Sequence, residues 1–94
     1  MSNHELRIDS YFSLPTDLAV VLGSWPEFVS GRDYDVELRS GEEVVVVRLA
    51  READTSFLLM RGQEVGSFFH RVLGAVVHAL SANSDSVWVT RSTG

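Results

Sequence analysis

Between Val65 and Leu80, apolar side chains fall at Val65, Phe68, Phe69, Val72, Leu73, Val76, Val77 and Leu80, the i, i+3, i+4 rhythm of an amphipathic helix. A stripe of this length needs a long apolar surface to lie on, and only the strand-like segments around it can supply one. The chain therefore reads as an α+β two-layer sandwich, one long helix packed on a mainly antiparallel sheet. Its 94 residues make a single domain, 1–94. A chain of this size buries on the order of 60 to 65% of its unfolded surface, enough for one core without a metal or crosslink.

The strands are read from period-two alternation. Leu6, Ile8, Phe12 and Leu14 share one parity while Glu5, Arg7, Asp9, Tyr11 and Ser13 share the other, as expected of a half-buried first strand. Leu14-Pro15-Thr16-Asp17 then reads as a helix start, with Pro15 near the first helical position and Asp17 in the first turn. Gly23 ends that short helix, and Ser24-Trp25-Pro26 opens a loop to about Arg32 that carries Trp25 and Phe28. Phe57-Leu58-Leu59-Met60 is a continuous apolar run, expected of a central strand covered on both sides. Gly62 reads as the cap that turns the chain into the long helix. That helix is expected to end near Ala82-Asn83, before a last strand at Val87 to Thr90. The resulting order, β-α-β-β-β-α-β, resembles a ferredoxin-like unit with one added strand, a fold that hosts many activities and so selects none.

The sharpest local expectation concerns residues 33–49. A two-residue turn at Ser40-Gly41 would oppose Arg39 to Glu42, Glu37 to Val44, Asp35 to Val46 and Asp33 to Arg48. Tyr34, Val36 and Leu38 would then face the core with Val45 and Val47, leaving only Glu43 as a polar group at its end. Two cross-strand ion pairs, Arg39 with Glu42 and Asp33 with Arg48, would close the outer face. A slip of one residue would bury Asp35 and Glu37.

Composition excludes more than it identifies. With no cysteine, the chain has no disulfide, thiolate nucleophile, zinc finger or iron–sulfur ligand. No apolar run approaches the roughly 18 residues a membrane span needs, and MSNHELRIDS has neither the basic nor the apolar region of a signal peptide, which points to a cytoplasmic chain. Net charge is −5, concentrated in the first half, so nucleic acid and anionic lipid are disfavoured as partners and a basic protein is favoured. All eight basic residues are arginine, a bias that coding preference explains as readily as selection for bidentate contacts.

No catalytic or metal-binding constellation emerges, and no cofactor is expected. His70, Arg71 and His78 share the polar side of the long helix. Histidines eight apart are separated by about 12 Å along a helix axis, too far for one metal, and Gly74 holds the position where an i, i+4 ligand would be. Neither Gly23-Ser24-Trp25 nor Gly66-Ser67-Phe68 completes a nucleophile elbow. Arg61-Gly62-Gln63-Glu64 enters a helix N-terminus, but Glu64 would repel a phosphate there. Asp33, Asp35 and Glu37 alternate along a strand instead of curling around a calcium ion.

What remains is surface. On the outer hairpin face Val44 and Val46 lie among Asp33, Asp35, Glu37 and Glu42, an apolar strip with an acidic border. This suggests a non-enzymatic protein-binding module of inhibitor, immunity, antitoxin or chaperone type, docking on a basic or polar partner protein. The competing reading of those valines is burial, beneath the first helix, beneath the Trp25–Phe28 loop, or inside a two-sided sheet. A homodimer is also open to the chain, through an alanine stripe (Ala75, Ala79, Ala82) or an edge strand at Val87 to Thr90 with Trp88 exposed. The alternative function is a small-ligand regulatory or enzymatic domain, its pocket between the sheet and the Trp25/Phe28 loop, with His70 or His78 assisting.

Overall fold

The computed structural model describes residues 4–10, 17–63, 67–82 and 86–92. Strand β1 (His4–Ser10) leads to helix α1 (Leu18–Leu22), then β2 (Phe28–Arg32), β3 (Asp35–Ser40), β4 (Glu43–Glu52) and β5 (Thr55–Gly62), helix α2 (Phe68–Ser81) and β6 (Val87–Ser92). The strands form one six-stranded sheet in the order β2-β3-β4-β5-β1-β6, and every neighbouring pair is antiparallel. The expected order therefore gains a strand, β2, in the segment read as a loop. Phe28–Arg32 has no alternating pattern, and it becomes a strand by pairing its backbone with β3 across the turn at Asp33-Tyr34. A meander from β2 to β5, with β1 lying beside β5, is not the ferredoxin-like order.

Each hairpin of the meander closes with a two-residue turn whose first residue has positive φ: Asp33 at 58°, Gly41 at 62° and Ala53 at 55°. This corrects the register of the β3–β4 hairpin. Ser40 pairs with Glu43, so the turn is Gly41-Glu42, with glycine at the position that needs left-handed backbone. The shift is two residues along the ladder, so each side chain keeps its expected face while the pairs change: Glu37 opposes Val46 and Arg39 opposes Val44. The expected Arg39–Glu42 and Asp33–Arg48 opposition is lost, because Glu42 and Asp33 are turn residues.

One face of the sheet carries the core. Leu6, Ile8, Val36, Leu38, Val45, Val47, Leu58 and Met60 meet Leu18 and Leu22 of α1 and Phe68, Phe69, Val72, Val76, Ala79 and Leu80 of α2. The stripe from Phe68 to Leu80 packs on the core as its spacing predicts, in a helix of 14 residues that is shorter than expected, with Leu73 and Val77 half-buried at its margin. Val65 lies outside the described residues, as do Phe12, Leu14, Pro15, Thr16, Glu64 and Asn83. Asp17 is the N-cap of α1, not a first-turn residue; its Oδ1 accepts from the Ala19 and Val20 amides at 2.9 and 3.4 Å. The expected capping role of Gly62 is also corrected. It ends β5, buried, where a Cβ would lie 2.9 Å from Phe69 Cδ2, and α2 begins after Ser67. At the other end Ala82 is the C-cap, in right-handed conformation.

The β5 strand is covered on one side only by helices. Leu58 and Met60 lie beneath them, whereas Leu59 faces outward, half-buried, and Phe57, buried on that outer side, has the Arg7 guanidinium 3.7 Å above its ring centroid. Among the described residues, no helix is long and apolar enough to cross a membrane.

Candidate functional site: the uncovered face of the sheet

Alternation along each strand sends every second side chain away from the helices. Registers then assemble these residues into rows. Glu37, Val46, Arg61 and Glu5 follow one another across β3, β4, β5 and β1, and Arg48, Leu59, Arg7 and Thr90 across β4, β5, β1 and β6. No described element lies over these rows. Val44, Val46 and Leu59 are half-buried, while Val45, Val47 and Leu58, one residue along, are fully buried beneath the helices.

Shallow depressions open on this face among the described residues. One, of about 430 Å³, runs between β2, β3 and β4 and includes Asp35, Glu37, Val46 and Arg48. A second, about 210 Å³, lies between Glu5, Val46, Arg48, Leu59 and Arg61. A third, about 170 Å³, is lined by Glu42, Val44, Val46, Arg61, Gly62 and Gln63. Val46 lines all three and Arg48 stands between the first two.

Charge on the face falls into committed and available groups. Arg61 donates to Glu5 Oε2 from Nη2 at 2.7 Å and from Nε at 3.2 Å. Arg7 makes a two-point contact with Asp9, Nε to Oδ2 at 2.9 Å and Nη2 to Oδ1 at 3.2 Å, and lies 3.6 Å from Glu52. The hydrogen bond to Asp9, reinforced by the two negative charges against the effect of burial, raises the Arg7 pKa and holds its proton. Asp9, the buried carboxylate of the strand, is neutralised this way. Asp35 has a backbone task, accepting from the Leu49 amide at 2.9 Å. Glu37 and Arg48, in contrast, make no ion pair among the described residues.

Of the residues singled out from sequence, Asp35, Glu37, Val44 and Val46 share this face, and Glu42 joins them from the turn beside Val44. Asp33 does not. It sits in the β2–β3 turn at the opposite end of β3, where its carbonyl accepts from the Ala19 amide at 2.9 Å. Arg39 and Arg48 lie on this face as the hairpin parity predicts, and Arg61 of β5 joins them among the acids. Arg48, Leu59, Arg61 and Glu5 were not anticipated as part of the site. Their parity is readable strand by strand, but only the β4–β5 and β1–β5 registers bring them beside Val46.

Neither α1 nor the Trp25–Phe28 segment covers Val44 and Val46. Leu18 and Leu22 belong to the core face, and so do Trp25 and Phe28, which are half-buried and packed against it. Phe28 is a β2 residue opposite Leu38, not part of a loop. Arg71, on α2, donates to Glu27 Oε2 at 3.1 Å with its guanidinium over the Trp25 and Phe68 rings, fastening this segment down. His70 and His78 are exposed, the former edge-on to Phe69 at 5.8 Å. Ala79 is buried and Ala75, half-buried, packs on the core, so these two alanines of the expected stripe are largely engaged with the chain's own core. Among the described residues, no group of three or more His, Asp or Glu is placed to hold a metal ion. Comparisons with protein-family models, curated proteins and solved structures return no match.

Proposed function

We propose that the protein is a non-enzymatic binding module, an inhibitor or escort of another protein, and that the uncovered sheet face is where it docks. One observation carries this: a helix-free face whose middle is apolar, at Val44, Val46 and Leu59, and whose uncommitted charges, Glu37 and Arg48, flank that middle from adjacent rows. Half-buried aliphatic groups can be desolvated by a partner at little cost, and neighbouring unpaired charges impose orientation. The net charge of −5 steers basic partners from a distance, with Glu37 and Glu42 nearest the apolar strip to receive their cations.

Affinity capture from the native host at low salt tests the proposal, using wild type, Val46→Arg and Glu37→Arg, with Val20→Arg on the exposed side of α1 as control. A protein retained by wild type and control, released as ionic strength rises and missing from both face variants is the expected result. Identical capture by all four would overturn it.

A further inference from the structure

We infer that β6 is a self-pairing edge, through which two copies of the chain join their sheets about a two-fold axis. β6 pairs with β1 in unbroken register, from Ser10 opposite Val87 to Glu5 opposite Ser92, so the ladder has no bulge along its length. No described strand lies on its other side. Every second residue of a strand turns its N–H and C=O away from the neighbour it already has, and those of β6 are therefore a template for one more strand. The two edges of the sheet differ in this respect. β2, at the far edge, is five residues long, shifts register between Phe28 and Ser30, and holds Gly31, features that spoil pairing. β6 has no proline, no bulge and no acidic residue, and it exposes apolar groups on both faces, Trp88 at 46% and Val89 at 38%.

The occupant is a second copy of this strand, because β6 is complementary to itself and poorly matched to a basic chain. Opposed residues of antiparallel strands share a face, so a two-fold axis through Val89 sets Val89 against its own copy, Trp88 against Thr90 and Val87 against Arg91. The single charge of the strand, Arg91, then meets a valine and never its counterpart; in this chain it lies 3.0 Å from His4 Nδ1, drawn toward β1. A basic protein steered by the acidic first half of the chain would find at β6 only this arginine. The pairing leaves the docking face described above free on both copies.

Sedimentation velocity over a wide concentration range, on wild type, Val89→Lys, Val89→Glu and an equimolar mixture of the two variants, tests this. Wild type should show a species of twice the 10.4 kDa chain mass. Each variant alone, with like charges facing across the axis, should stay monomeric, and the mixture should recover the doubled mass; circular dichroism establishes that each variant is folded. A wild type that remains monomeric at millimolar concentration, a dimer that persists in both variants, or open-ended assembly in place of a closed pair would each overturn the inference.

Discussion

Two glycines and one alanine show how single residues set the hairpins and the helix seat, each for a different reason. Gly41 has φ 62° with open space around its missing Cβ, so only backbone strain opposes a side chain there. Ala53 has φ 55° and already bears that strain. Ala53→Gly is therefore expected to raise the urea midpoint, by up to about 1 kcal/mol of stability, and Gly41→Ala to lower it by about 1 kcal/mol. Gly62 is limited by space: a Cβ would meet Phe69 Cδ2 at 2.9 Å and the Val44 carbonyl at 3.0 Å. Gly62→Ala should cost about 1–3 kcal/mol as overpacking, and less in a Phe69→Leu background, where the same measurement reads the coupling. Tyr34 adds a pH dependence. Burial, with smaller contributions from Asp17 and Asp33, raises its phenol pKa above the ordinary value. A raised pKa means that the folded state keeps its proton longer than the unfolded chain, so this stabilisation is complete below the unfolded value near 10 and is lost as pH climbs past it. Stability measured between pH 8 and 11 should fall less steeply in Tyr34→Phe than in wild type.

Element boundaries were legible where a pattern had to meet the core and illegible where pairing was long-range. The stripe on α2 and the alternation of β3 and β4 both reappear, because burying Leu38 or Phe69 leaves one allowed facing. β2 was invisible because Phe28, Val29, Ser30, Gly31 and Arg32 show no period; their strand exists only against β3. The turn lies one residue beyond Ser40-Gly41 because Ser-Gly and Gly-Glu both suit a corner, and φ 62° at Gly41 decides between them. Within the site, Glu37 and Val46 were legible from hairpin parity, whereas Glu5 and Arg61, 56 residues apart, meet only in the assembled sheet. Helix α1 illustrates how little a short element can hold alone. Its five residues depend on the Asp17 cap, the hydrogen bond that the Ala19 N–H donates to the Asp33 carbonyl, and burial of Leu18 and Leu22. Asp17→Ala should cost about 1 kcal/mol in chemical denaturation.

Among the described residues, two helices on one side of six strands leave a sheet with an interior and an exterior face, and β4 spans both in alternate residues. The interior accounts for folding. The exterior pairs the charge of its buried carboxylate, Asp9, whereas Glu37 and Arg48 beside the apolar strip make no ion pair among the described residues. Substitutions there should separate binding from stability: Val46→Arg is expected to shift the denaturation midpoint by well under the 2–5 kcal/mol typical of emptying a core position, while Val45→Ala or Val47→Ala, on the same strand, should lower it markedly.

The most direct test of an uncovered, apolar sheet centre is methyl NMR with a soluble paramagnetic relaxation agent. Strong broadening of the Val44, Val46 and Leu59 methyls, with those of Val45, Val47 and Leu58 spared, is the expected outcome. Equal protection of both sets would mean that another part of the chain lies over this face, and would contradict its role as a docking surface.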